Sequence, residues 1–234
     1  MPGLSRGSIQ NSLLSSLRSA ALSRLLPHLE RIALPKQKAL AHPGTRLTHA
    51  YFPEAGMISV IVPLESGAIE VGTIGREGML GVNHLLGGDI AFNRAIVQIA
   101  GSALRLPGPT LRDALKTDER LREHLGRYGE SFYFQVSQTA ACNGGHSLSQ
   151  RCARWLLLAR HRLGSDELPL TQELLSMMLA VRRAGVNEVA LSLQKAGIIR
   201  YDRGHITIVD PASLEAVACE CSRLIQEQEA RLLT

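Results

Sequence analysis

Apolar residues fall at several distinct periods along this chain, and the sharpest pattern lies between Leu170 and Val209. Leu174, Leu175, Met178 and Leu179 are spaced by one, three and four, so they share one face of a short helix expected from about Gln172 to Leu179. Thr171 opens that helix with a hydroxyl able to accept an orphan amide, and acidic Glu173 suits its first turn. Ala180-Val181 makes the turn, small Ala180 permitting close approach. A second helix is expected over about 183–196, with Val186, Val189, Ala190 and Leu193 inward and Arg183, Asn187, Gln194 and Lys195 outward. Gly197 suits its C-cap. The period then drops to that of a strand: Ile198 to Tyr201 and His205 to Val209 are rich in β-branched residues and flank the turn signal Asp202-Arg203-Gly204. Helix, turn, helix and hairpin in this order predict a winged helix-turn-helix.

The rest of the chain has other textures. Leucine-rich helical patterns near Leu13 to Leu17 and Ala20 to Leu26, broken at Pro27, read as an N-terminal cap. From about residue 32 to 107 short β-prone runs alternate with turn signals: His42-Pro43-Gly44, Pro53-Glu54-Ala55-Gly56, Glu65-Ser66-Gly67, Gly75-Arg76-Glu77-Gly78 and Gly87-Gly88. This spacing predicts an antiparallel β-roll. After Pro109 the chain is helical again, and Leu121, Leu125, Tyr128, Phe132, Gln135 and Thr139 recur at steps of four and three. That heptad seam is expected to pair two copies of the chain; packing on its own β-domain is the alternative, and Gly126 and Gly129 weaken a long rigid coil. Asn143-Gly144-Gly145 is expected to break the helix and act as a hinge, and 147–163 to form another helix with Cys152, Trp155, Leu156 and Ala159 as its apolar stripe. The expected fold is α+β, in three parts: cap and β-roll over 1–115, dimerisation helix and hinge over 116–145, and the winged helix-turn-helix domain over 146–234.

Composition narrows the function classes. A formal charge of +5 favours polyanionic partners without identifying them. Between residues 151 and 203 nine Lys and Arg face five acids, so the basic surface gathers around the helix-turn-helix. Arg182 and Arg183 open its second helix, whose N-terminal residues a reading head places in the major groove, and Arg200, Arg203 and His205 on the wing suit backbone phosphate. No apolar run approaches a membrane span, and Arg18 and Arg24 interrupt the N-terminal leucines, so a cytoplasmic location is expected. The four cysteines, Cys142, Cys152, Cys219 and Cys221, do not form a secreted disulfide framework. Cys219-Glu220-Cys221 has the composition for metal or redox chemistry, but on one helix the two thiols would diverge and further ligands are not visible, so packing is the expectation and no metal is assigned. An enzyme recruiting His49, Glu77 and His84 lacks a paired histidine motif, a nucleophile with its base, and a P-loop; no catalytic residue is expected.

The order of elements, with Tyr51-Phe52-Pro53-Glu54-Ala55-Gly56, Gly75-Arg76-Glu77-Gly78-Met79-Leu80-Gly81 and Thr171 through Ile199, resembles the Crp/Fnr family of bacterial transcription regulators over nearly the whole chain. The resemblance implies a cyclic-nucleotide-binding-like β-roll, a helix that pairs two subunits, and an effector that reorients the DNA-binding domains. Members that bind cyclic AMP follow a glycine with a glutamate for the ribose, then supply an arginine for the phosphate. Here Gly81 is followed by Val82, while Arg94-Ala95 stands near the phosphate position; a ligand hydroxyl left unpaired would cost ~1 to 3 kcal/mol, so control by cyclic AMP is not expected. The oxygen-sensing branch uses N-terminal cysteines, and none precedes Cys142; for haem, His49, His84 and His124 qualify by residue type only. By the same matching Arg183 would read guanine, Ala184 replaces a glutamate and Glu188 an arginine, so the operator should differ. The expected interface is Thr171, Arg182, Arg183, Ala184, Asn187, Glu188, Lys195, Arg200, Arg203 and His205; the expected partners are double-stranded DNA, a second copy, RNA polymerase and an unidentified effector, with no cofactor. A β-roll sensing a ligand or redox state, with DNA binding as its output, is the alternative.

Overall fold

Two short amphipathic helices, α1 (Ser12–Ser15) and α2 (Ser19–Leu25), bury Leu13, Leu14, Leu22 and Leu25 against the β-domain. Asn11 anchors them. Its Oδ1 accepts from the Leu14 amide at 2.9 Å, and its amide nitrogen donates to the Pro53 and Gly78 carbonyls at 2.8 and 2.9 Å, so one buried side chain caps a helix and ties it to a strand and a loop. The computed structural model describes residues 4–65 and 67–233.

The β-roll follows. Strands β1 (Glu30–Leu34), β2 (Ala39–Ala41), β3 (His49–Leu64) and β4 (Gly67–Ile74), then, after helix α3 (Val82–Leu85), β5 (Arg94–Pro107), form an antiparallel sheet in the order β1-β5-β3-β4, with β2 also on β5. Of the expected Glu65-Ser66-Gly67 turn between β3 and β4, Ser66 lies outside the described residues. Pro53-Glu54-Ala55-Gly56 is not a turn. β3 runs straight through it, absorbing the irregularity as register shifts against β5. Gly56 makes this possible with φ of +80°, and a Cβ there would stand 2.4 Å from the Ile99 carbonyl oxygen.

Helix α4 (Gly108–Thr117) leads into α5 (Glu119–Gly145), capped where Asp118 Oδ1 accepts from the Leu121 amide at 3.0 Å. α5 includes Asn143-Gly144-Gly145 and ends only at His146, so the glycine pair closes the helix rather than interrupting it. Its heptad seam is occupied within the chain. Leu121 and Leu125 are buried, Tyr128 donates to the Met79 carbonyl at 3.0 Å, and Phe132 packs against the β-roll core. Gln135 pairs with strand β4, accepting from the Thr73 amide at 2.7 Å and donating to its carbonyl at 3.2 Å, while Thr139 accepts from Arg154 at 3.3 Å. The expectation that these six residues face a second copy is therefore corrected: a stripe at this spacing requires a partner surface, and the nearest one is the chain's own β-roll.

The C-terminal part comprises α6 (Leu148–Leu163), β6 (Glu167–Leu168), α7 (Gln172–Leu179), α8 (Arg183–Lys195), β7 (Ile199–Asp202), β8 (His205–Ile208), α9 (Pro211–Val217) and α10 (Cys221–Leu233). The wing is a three-stranded sheet in the order β6-β8-β7. Its core is continuous with the roll, because Met57, Ile61, Ile96 and Ile99 pack in the same cluster as Trp155, Leu156 and Leu175. Two buried polar ties reinforce it: Trp155 Nε1 donates to Glu70 at 2.6 Å, and Arg162 pairs with Glu77 of the roll at 3.1 Å and Glu229 of α10 at 2.8 Å. No described helix is long and apolar enough to cross a membrane.

Candidate nucleic-acid interface

Helix α7 starts where Thr171 Oγ1 accepts from the Leu174 amide at 3.2 Å and ends in Ala180, whose left-handed backbone (φ 53°, ψ 46°) turns the chain into α8. The turn thus needs more of Ala180 than small size. Val186, Ala190 and Leu193 bury the inner face of α8 against α6 and α7. This leaves Arg182, Arg183 and Ala184 exposed at the helix start and Asn187 and Glu188 exposed one turn later. Gln172, absent from the expected interface, belongs beside them: its Nε2 donates to Asn187 Oδ1 at 3.1 Å, which leaves the Asn187 amide nitrogen facing outward as a donor. Residues fifteen apart across a turn carry no periodic signal.

The wing closes tightly. Asp202 pairs with His205, and the two loop residues Arg203 and Gly204 both have positive φ, 42° and 84°, as a two-residue hairpin matched to strand twist requires. Gln194 near the end of α8 accepts from the Tyr201 amide at 3.0 Å, coupling the helix to the wing. Arg200, Arg203 and His205 are exposed on the wing and Lys195 at the end of α8.

Charge sorts cleanly here. Of the nine basic residues between 151 and 203, the four on α6 are engaged internally: Arg151 donates to the Leu179 carbonyl, Arg154 to Thr139, Arg160 to Asp166, and Arg162 to Glu77 and Glu229. The other five, Arg182, Arg183, Lys195, Arg200 and Arg203, are exposed and form no ion pair among the described residues. Within residues 151–203, cations without an ion pair thus lie only at the start of α8, its end, and the wing.

The expected effector site is a small, largely apolar cavity of about 60 Å³ lined by Gly81, Val82 and Ala95 together with Phe132 and the two polar side chains Asn83 and Asn93. Arg94 does not line it; its side chain is exposed, so the arginine suggested for a phosphate is not on the cavity wall. The histidines considered for metal or haem do not converge with Glu77. His49 Nδ1 lies on Thr48 and buried His84 Nδ1 on Arg112 at 3.1 Å, while Glu77 holds Arg162; His124 Nε2 meets Ser16 at 3.0 Å. Burial, with Arg112 alongside, lowers the His84 pKa.

Residues 150–217 match the Crp-like helix-turn-helix domain. Among solved structures, FixK2 from Bradyrhizobium japonicum is similar at a TM-score of 0.72 and 15% identity, covering 82% of this chain and 98% of that one. The c-di-GMP-responsive global regulator CLP of Xanthomonas campestris (TM-score 0.67, 15% identity, 82% and 99% covered) and a CRP-family transcriptional regulator from Thermus thermophilus (TM-score 0.67, 19% identity, 81% and 96% covered) are similar too. The fold is that of the Crp/Fnr regulators. The latter two neighbours are named as a global regulator and a transcriptional regulator. No curated protein matches the chain by sequence. The matched helix-turn-helix region carries five exposed cations without an ion pair, and the β-roll holds a cavity whose wall includes Val60 and Val82.

Proposed function

We propose that the chain is a sequence-specific transcription regulator of the Crp/Fnr type that binds a roughly palindromic site on double-stranded DNA as a homodimer, without control by cyclic AMP. The observation that carries this reading is the set of five exposed cations without an ion pair on α8 and the wing, where the four arginines of α6 are all bonded to groups of the chain itself. The start of α8 enters the major groove: Arg183 makes a bidentate contact with guanine, Ala184 offers its methyl to thymine, and Glu188 accepts from cytosine. Thr171, Arg200, Arg203, His205 and Lys195 serve the backbone, which fixes register. The dimer uses the outward face of α5, where Tyr133 is 73% exposed and Gly126, Ser137 and Ala140 allow close approach. A two-fold partner supplies the second half-site one helical turn away.

Independence from cyclic AMP rests on the cavity. Ligand sites span ~300 to 1,000 Å³ and need polar groups for orientation; this one is about 60 Å³, with Val82 where a carboxylate would hold a ribose. RNA polymerase is the further partner where the site lies beside a promoter. The test is gel retardation of the purified chain on fragments upstream of its own and neighbouring genes, with and without cyclic AMP. Selective, salt-sensitive retardation unchanged by the nucleotide is expected; equal affinity for every fragment would remove the reading.

A further inference from the structure

Four side chains outside the nucleic-acid interface meet where α5 ends and α10 begins. Cys142 is on the last turn of α5 and His146, four residues on, caps its end; Cys219 lies between α9 and α10, and Cys221 is the first residue of α10. Because Cys219 lies outside the helix, the two neighbouring cysteines converge instead of diverging, contrary to the expectation for two thiols on one helix. Their sulfurs and the His146 ring nitrogen all lie within 4.8 Å of one another, with Cys142 Sγ 3.5 Å from Cys219 Sγ and Cys221 Sγ 3.6 Å from His146 Nδ1. All three cysteines are free thiols and buried.

We propose that Cys142, His146, Cys219 and Cys221 form a binding site for a single zinc ion. Three thiolates and an imidazole are a closed tetrahedral donor set, and a tetrahedron with metal–sulfur bonds of about 2.3 Å has edges of about 3.8 Å, close to the two distances above. The surroundings match those of a ligand shell. His146 turns its other nitrogen, Nε2, toward Glu220 Oε2 at 3.4 Å, the side on which a carboxylate orients a metal-ligating imidazole. Gln138 Nε2 donates to Cys221 Sγ at 3.2 Å. The compact set suits one ion; an iron–sulfur cluster needs its ligating sulfurs spread around several metal atoms. The site joins the last turn of α5 to the start of α10, across the junction between the β-roll helix and the DNA-binding domain, so the bound ion would pin those two helices together.

Elemental analysis of the full chain, purified under reducing conditions without chelator or nickel resin, is the first measurement. About one zinc per chain is expected. Replacing zinc by cobalt should give the intense near-ultraviolet band of thiolate-to-cobalt charge transfer together with tetrahedral visible bands. Cys219→Ser and Cys221→Ser should each lower zinc content several-fold, while Cys152→Ser, whose thiol lies in a separate apolar core, should keep it. Zinc-free wild-type protein that takes up neither zinc nor cobalt on titration overturns the site, whether its thiols alkylate freely or peptide mapping shows a Cys142–Cys219 disulfide. Iron with inorganic sulfide overturns it equally. These readouts are independent of DNA binding, so a failed operator search leaves the metal result intact, and the reverse.

Discussion

At Glu70 a carboxyl group sits wholly out of water between two donors, Ser59 Oγ at 2.5 Å and Trp155 Nε1 at 2.6 Å. Burial pushes its pKa up to about 7 against the pull of those bonds. The folded state therefore binds a proton that the unfolded chain, with a carboxylate near 4.5, releases earlier. The stability from this group is greatest at low pH and declines as pH rises from about 4.5 to about 7, by ~3 kcal/mol in full. Glu70→Gln keeps an acceptor for Trp155 and cannot ionise. It should melt higher than wild type at pH 8 and lose the decline between pH 5 and 7, as thermal unfolding at both ends of that range would show. Ala180 offers a second test at this scale. A left-handed alanine costs about 1 kcal/mol relative to glycine, so Ala180→Gly should raise the unfolding midpoint despite glycine's entropy. A lower midpoint would mean that the turn is held by packing instead.

Elements differ in how plainly the sequence announces them. α7, α8 and the wing are local structures: Thr171 caps, Gly197 follows the second helix, the apolar period changes from helix to strand, and Arg203-Gly204 supplies the only loop the hairpin needs, so their bounds fall within a residue or two of expectation. β6 has two residues and no period to read. The Pro53 to Gly56 signal misleads because a bulge and a turn ask for the same glycine. The α5 seam misleads for a different reason: periodicity specifies a face and leaves its partner open. Gln135 was the hint, since an amide in an apolar seam serves a partner that offers backbone groups, as the edge of β4 does. Gln135→Ala should cost ~1 to 3 kcal/mol by stranding the buried Thr73 amide and should leave the oligomeric state unchanged. Tyr133→Asp, on the outward face, should do the reverse. Sedimentation and urea unfolding of both variants separate the faces; a Gln135→Ala monomer with wild-type stability would restore the heptad seam as the dimer contact.

At the scale of the molecule, the division of arginines between structure and surface governs both stability and binding. Arg162 is fully buried and holds Glu77 of the roll and Glu229 of α10 at once, so its loss leaves two buried carboxylates without a cation. Arg162→Ala should cost ~3 to 5 kcal/mol, read as a lower urea midpoint, where Arg162→Met should cost less by refilling the volume. Neither change removes an exposed cation, so the salt dependence of DNA binding at temperatures where the variants remain folded should match wild type. Arg200→Ala is the complementary case. It touches no internal partner, and each phosphate contact contributes about −0.9 to the slope of log K against log salt concentration. One contact in each half-site of a dimer predicts a slope shallower by about 2 with an unchanged base preference, whereas Arg183→Ala should weaken binding by ~1 to 3 kcal/mol at a single base pair of each half-site. Retardation across a salt series on matched and mismatched sites distinguishes the two effects. An Arg200→Ala slope that moves by only one would indicate that a single wing engages at a time, and a slope that does not move would take the wing off the DNA altogether.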